Sequence, residues 1–144
     1  AVVALAHAVG KKTAVCKRDV PGFILNRIQL AILRECISLV EDGIADVDAV
    51  DACMKYGLGF RYAAFGPFEV VDFGGIDTFC HISDNLFSDL STRTDANDMI
   101  RKLYEENKLG IKTGEGFYQY TPESIQEGLR SRDEQLLDIL KITT

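Results

Sequence analysis

Several chemistries are excluded by what the sequence does not contain. It has two histidines, His7 and His81, and four cysteines, Cys16, Cys36, Cys53 and Cys80, with no CxxC among them. No Cys or His stands at metal-ligand spacing, so no metal site is expected. The thiols read as buried and reduced, as in a cytoplasmic protein. Basic runs are missing as well: 16 Lys and Arg face 22 Asp and Glu, for a net charge of −6. That balance argues against a nucleic-acid partner. The most apolar stretch, 23–40, carries Asn26, Arg27, Gln29, Arg34 and Glu35, so it is no membrane span and no membrane partner is expected. Residues 1–10 lack a basic segment followed by a long apolar core, so no signal peptide is expected. There is no initiator Met, and the chain reads as a fragment. Neither GxGxxG nor a Walker loop occurs, and no repeat shows at solenoid periods.

What is present is one domain's worth of helix-forming chain. The 144 residues are 47% hydrophobic and 26% charged, within the range of soluble globular proteins. Residues 2–9 form a short apolar helix closed by Gly10, and 13–17 is a β-like run. The rest of the chain is organised around the long helix that comes next. Asp19 and Pro21 suit its first turn, and no Gly or Pro then appears between Phe23 and Gly43. Ile24, Ile28, Ile32, Cys36 and Leu39 make one apolar stripe on this helix. Leu25, Leu33, Ile37 and Val40 make another, so the helix reads as buried on two sides. Asn26 and Arg27 interrupt that surface and need hydrogen-bond partners there.

Further helices lie downstream. Asp46 caps a helix over 47–56, which Gly57 and Gly59 end, and 60–67 is an aromatic loop. Pro67 opens a short helix broken by Gly74-Gly75. A helix over 77–90 has Phe79, Ile82, Leu86 and Leu90 on one face. Asp95 caps a helix over 96–107. Residues 108–116 are a Gly/Lys loop, 117–120 is extended, and Pro122 opens an amphipathic final helix. The pattern is all-α.

Spacing alone completes no catalytic constellation. His81 reads as a solvated or core histidine, and His7 has no identifiable partner. Glu69 and Asp72, three apart, read as cap or surface carboxylates before an acid–base pair. The Gly/Lys loop reads as a tight turn before a phosphate cradle.

The order of short motifs is more specific. Asp19-Val20-Pro21-Gly22-Phe23-Ile24-Leu25-Asn26-Arg27 comes first. Phe65-Gly66-Pro67-Phe68-Glu69 and Gly75-Ile76-Asp77 come next, then Asn107-Lys108 and Lys112-Thr113-Gly114-Glu115-Gly116-Phe117-Tyr118. In that order they resemble the C-terminal domain of the 3-hydroxyacyl-CoA dehydrogenases, over about residues 12–120. The resemblance implies an all-α domain of the 6-phosphogluconate dehydrogenase C-terminal type, with one long buried helix. Residues 1–18 would be the trailing helix and strand of a Rossmann domain that holds NAD, and 19–144 the substrate-binding and dimerisation domain. The implied partners are that N-terminal Rossmann domain, a second copy in a homodimer, and an acyl-CoA substrate. The reaction would oxidise a (S)-3-hydroxyacyl-CoA to the 3-oxoacyl-CoA, of the short-chain, 3-hydroxybutyryl kind. The catalytic His–Glu pair would lie outside this chain, which alone would be inactive. Asn26 matches the asparagine at the substrate's reacting carbonyl, and Lys112 matches a lysine that reaches NAD.

Gly59-Phe60-Arg61-Tyr62-Ala63 departs from the fatty-acyl-CoA enzymes. It is similar to the related branch with lambda-crystallin, gulonate dehydrogenase and carnitine dehydrogenase. There Arg61 would offer a fork to a free substrate carboxylate. A 3-hydroxy-acid dehydrogenase is therefore the second reading, and a stand-alone helical dimerisation module the third. If Arg61 met no charged substrate, an internal acid such as Glu69 or Asp72 would hold it, or it would lie at the surface.

Overall fold

A computed structural model describes residues 1–143, and the regular structure among them is helical throughout. Two compact units divide the chain, Ala1–Leu33 and Arg34–Thr144.

In the first unit, α1 covers Val2–Ala8. The β-like run at 13–17 pairs with nothing among the described residues. A single strand has no ladder without a neighbour, so pattern alone does not make one. The long helix also starts later than the pattern indicates. Gly22 (φ 79°) and Phe23 (φ 49°) are both left-handed, and Phe23 N–H donates to Val20 O at 3.1 Å. This turn holds Pro21 outside the helix. A phenylalanine in that conformation is rare, because its Cβ crowds the backbone. The helix α2 then runs Leu25–Glu41 and crosses from the first unit into the second.

Among the described residues the two-sided burial expected of α2 is not seen. Leu25, Ile28 and Leu30 are more than half exposed, while Ile37 is 5% exposed. Ile37, in the second unit, is the residue of α2 that is buried among the described residues.

In the second unit, Asp46 Oδ1 accepts Ala49 N–H at 2.8 Å and caps α3, Val47–Cys53, as the sequence indicates. The glycines after it do not end the helix. The chain passes through a π turn, Met54–Gly59, straight into α4, Phe60–Ala64, where the pattern indicates a loop. A Cβ on Gly59 would stand 2.7 Å from Met54 O. Glycine at this position lets the wide turn close, and so carries the helix on where propensity would stop it.

Next come α5, Pro67–Gly74, and α6, Ile76–Leu86. Glu69 Oε2 accepts Gly66 N–H at 2.6 Å at the start of α5. Phe65 and Phe73 meet edge to face at 5.5 Å. The next helix, α7, spans Asp98–Glu105, and its N-cap is Asn97 rather than Asp95. Asn97 does not cap through its own side chain. Glu41, at the end of α2, accepts Met99 N–H at 2.7 Å and Asn97 Nδ2 at 3.1 Å. The last helix, α8, is Pro122–Thr143 and packs on α4.

Candidate functional site

Asn26 lies on the first turn of α2 in the first unit. It is exposed, and its amide has no partner among the described residues. Arg27 is also exposed and reaches Pro21 O only at 3.5 Å. The sequence asks for hydrogen-bond partners for this pair; an enzyme needs Asn26 to face an open cleft, and a stand-alone module would bury it. The structure leaves Asn26 exposed. A cleft of about 490 Å³ in the same unit has Lys17, Arg18 and Arg27 among its walls, with Phe23, Ile24 and Ile28.

Arg61 is in the second unit, on α4. It is exposed on the wall of a groove of about 940 Å³ between the π turn with α4 and α8. Phe60, Phe65 and Ile139 supply the groove's apolar surface, and Lys55 is the other cation on it. The Arg61 guanidinium has no acid or hydrogen-bond acceptor among the described residues. Glu69 is engaged with the Gly66 N–H instead. An unpaired, planar fork beside an apolar surface suits an organic carboxylate.

Lys112 stands in a hairpin built by residues 108–120 in the second unit. Gly110 N–H donates to Glu115 O, and Gly116 N–H to Tyr118 O, both at 2.8 Å. Leu109 N–H donates to Thr113 Oγ1 at 2.8 Å. A Cβ on Gly116 would lie 2.8 Å from Gly110 Cα, so the two segments approach this closely because Gly116 has no side chain. Lys108 Nζ reaches Glu115 at 3.0 Å and Glu106 at 3.1 Å, and those carboxylates raise its pKa. Lys112 is exposed, and its ammonium has no partner among the described residues. The hairpin is thus shaped by its own bonds and presents a free cation.

One tie across the second unit was not legible in the sequence. Tyr118 Oη donates to Asp51 Oδ2 on α3 at 3.1 Å. Desolvation, then Asp51, push the Tyr118 phenol up to about 12, so it stays protonated as a donor. Lys55 lies 3.6 Å from the same carboxylate oxygen. Tyr118 and Asp51 are 67 positions apart, and no local pattern pairs them.

The remaining candidates are quiet. His7 Nε2 is 2.9 Å from Thr13 Oγ1 on an exposed surface, and His81 is exposed too. All four cysteines are free thiols, as the sequence indicates, but not all are buried: Cys16 and Cys36 are half-buried, Cys53 and Cys80 exposed. Burial, then Asp51, raise the Cys36 pKa, which keeps that thiol protonated and unreactive. Among the described residues no helix is long and apolar enough to cross a membrane.

Comparison with known proteins decides the family. The family model for the 3-hydroxyacyl-CoA dehydrogenase C-terminal domain matches residues 22–120, more than half of the chain. The chain belongs to the 3-hydroxyacyl-CoA dehydrogenase family. It is similar, at 38% identity over 96% of its length, to a 5-formyl-3-hydroxy-2-methylpyridine 4-carboxylate 5-dehydrogenase from Mesorhizobium japonicum, covering 45% of that protein. It is 40% identical over 83% of its length to human mitochondrial hydroxyacyl-coenzyme A dehydrogenase, covering 37% of it. A crystal structure of a dehydrogenase for the same pyridine carboxylate, described as an NAD+-dependent dismutase, superposes with a TM-score of 0.96 at 37% identity. It covers 99% of this chain and 46% of that one. A 3-hydroxyacyl-CoA dehydrogenase from Archaeoglobus fulgidus gives 0.54 at 28% identity, over 97% of this chain and 48% of that one. The chain spans less than half the length of these relatives.

The three open side chains, Asn26, Arg61 and Lys112, all lie within the residues the family model matches. The part of the family that the chain matches is its C-terminal domain.

Proposed function

We propose that this domain is the substrate-binding and dimerisation half of an NAD-dependent dehydrogenase whose substrate carries a free carboxylate, gripped by Arg61. The observation that carries the reading is the unpaired Arg61 guanidinium on an apolar groove. Glu69, an internal acid expected against Arg61 if its charge were only structural, holds the Gly66 N–H instead, while the exposed position of Arg61 is equally open to an acyl-CoA substrate. The Mesorhizobium relative, whose substrate is by name a carboxylate, supports the same direction.

Asn26, in the first unit, is taken by itself. Oxidising a hydroxyl removes a hydride from carbon and a proton from oxygen, and carbonyl character builds on that oxygen. An amide donor with no internal partner can hold the oxygen while this happens. The exposed Asn26 also favours an enzyme over a stand-alone dimerisation module, in which the amide would be buried and satisfied. NAD, held mainly by an N-terminal Rossmann domain, would accept the hydride. The free ammonium of Lys112, on a pre-shaped hairpin, fits its pyrophosphate or ribose edge. The base, a histidine oriented by a glutamate, would belong to the same N-terminal domain.

The partner half and a second copy would cover the apolar surface this chain leaves open. Leu30 on α2, and Leu136 and Leu137 on α8, are more than half exposed. A homodimer through these helices, in the cytoplasm, completes the reading.

Oxidation of a short-chain 3-hydroxyacyl-CoA is the second reading. The run from Lys112 to Tyr118 and the human and Archaeoglobus relatives favour it. Arg61→Met in the intact enzyme separates the two. Loss of roughly 30-fold or more in kcat/KM confined to a free hydroxy acid supports the carboxylate reading. Equal small losses on the acid and the CoA thioester would refute it.

A further inference from the structure

The bonds inside the 108–120 hairpin fix its shape but not its place. Gly110 to Glu115, Gly116 to Tyr118, Leu109 to Thr113 and Lys108 to Glu115 all run within it. Such a unit moves as one piece, and Lys112 moves with it. At its start Lys108 ties it to the end of α7, with Lys108 N–H donating to Leu103 O at 2.8 Å and Nζ 3.1 Å from Glu106, and further along the Tyr118 hydroxyl reaches out to Asp51 on α3 at 3.1 Å. The carboxylate that receives it also lies 3.6 Å from Lys55, one turn further on.

We propose that Tyr118 is a positioning residue for the nicotinamide cofactor: its hydrogen bond to Asp51 sets where the hairpin holds Lys112. This rests on the reading that Lys112 meets NAD. A lysine ammonium is a point charge on a flexible stem, so its effect on a bound phosphate depends on where its backbone stands. An anchored hairpin has that placement before the cofactor arrives. A loose one is ordered again at each binding event, and affinity falls by that amount. The hairpin–α3 tie thus acts on cofactor affinity and leaves the reacting carbon untouched.

The test uses the intact enzyme and the dissociation constant of NADH, read by fluorescence. The variants are Lys112→Met, Tyr118→Phe, the double variant, Asp51→Ala and Asp51→Asn. Lys112→Met is expected to weaken NADH about tenfold, the loss of one charge contact with a phosphate. Tyr118→Phe keeps the ring and removes only the hydroxyl. It is expected to weaken NADH about fivefold, the equivalent of one lost hydrogen bond, with kcat at saturating NAD and the KM of the organic substrate near wild type. The double variant should bind no more weakly than Lys112→Met alone, since a misplaced hairpin has then no charge left to misplace. Asp51→Asn keeps an acceptor for the phenol and should bind like wild type, while Asp51→Ala leaves Asp48 as a second acid facing the phenol and should fall between wild type and Tyr118→Phe.

Unchanged NADH affinity in Tyr118→Phe, with Lys112→Met weakened, overturns the positioning role alone. Losses that multiply in the double variant also overturn it, because they place the effect of Tyr118 somewhere other than Lys112. Unchanged affinity in Lys112→Met overturns the contact of Lys112 with NAD, and the positioning role with it.

Discussion

Glu41 accepts the backbone N–H of Met99 at 2.7 Å and caps a helix that begins more than fifty residues further along the chain. Its other oxygen takes Asn97 Nδ2 at 3.1 Å, and Arg93 lies 3.6 Å from it. Asn97 is 4% exposed and also donates to Ser38 Oγ at 3.3 Å. The end of α2 and the start of α7 are therefore joined through one carboxylate. Glu41→Ala would strand a buried amide and a helix N-terminal donor. Chemical denaturation should show a loss of about 1–3 kcal/mol, and a double-mutant cycle with Asn97→Ala should be strongly non-additive. Additive losses would show that the two residues act separately.

Gly59 and Gly57 offer a matched pair. A methyl on Gly59 meets Met54 O at 2.7 Å, whereas a methyl on Gly57 meets nothing within 4 Å. Gly59→Ala should destabilise the chain by roughly 1–3 kcal/mol and displace the turn that carries Arg61. Gly57→Ala should be neutral or stabilising by up to about 1 kcal/mol, since alanine restricts the unfolded chain. Equal melting temperatures for the two variants would argue against the π turn.

Tyr118 sets an alkaline signature. Its pKa is raised to about 12 by desolvation and by Asp51. A phenol whose folded pKa lies above its unfolded value, about 10, contributes in full below pH ~10. That contribution is lost as pH rises through about 12. Absorbance titration near 295 nm should show a late tyrosine ionisation that disappears in Tyr118→Phe. A titration curve with the same final step in both proteins would contradict the bond to Asp51.

Leu136 and Leu137 on α8 are both 57% exposed. In the proposed homodimer they lie at the partner surface, and an obligate interface of this kind buries about 2,000 Å² or more. The intact enzyme should sediment as a dimer at micromolar concentration, and Leu136→Asp with Leu137→Asp should shift it toward monomer. A monomeric wild type under those conditions would refute the dimer.

The sequence made the helical class legible because helix signals are local. Asp46 at its cap and Pro67 at the opening of α5 act within one turn. It misled where a local breaker is overruled by its surroundings. Gly57 and Gly59 are helix-ending residues by propensity, but the π turn uses glycine to keep the helix going. Gly22 and Phe23 delay α2 by adopting left-handed dihedrals that propensity gives no reason to expect of phenylalanine. Asn26, Arg61 and Lys112 are proposed from short ordered motifs. The Tyr118–Asp51 and Glu41–Met99 pairs were not legible, because each joins residues more than fifty positions apart. The burial expected of α2 failed for a related reason: apolar periodicity marks a face to be covered but does not name what covers it.

The most direct measurement concerns Asn26, the open amide on which the dehydrogenase reading depends. In the intact enzyme, NADH formation is followed at saturating NAD for wild type and Asn26→Ala, with the dissociation constant of NADH measured alongside. The reading predicts a fall in kcat/KM of about 10²–10³, the usual consequence of removing one donor from a developing oxyanion, with NADH affinity unchanged. A kcat/KM within twofold of wild type would contradict it.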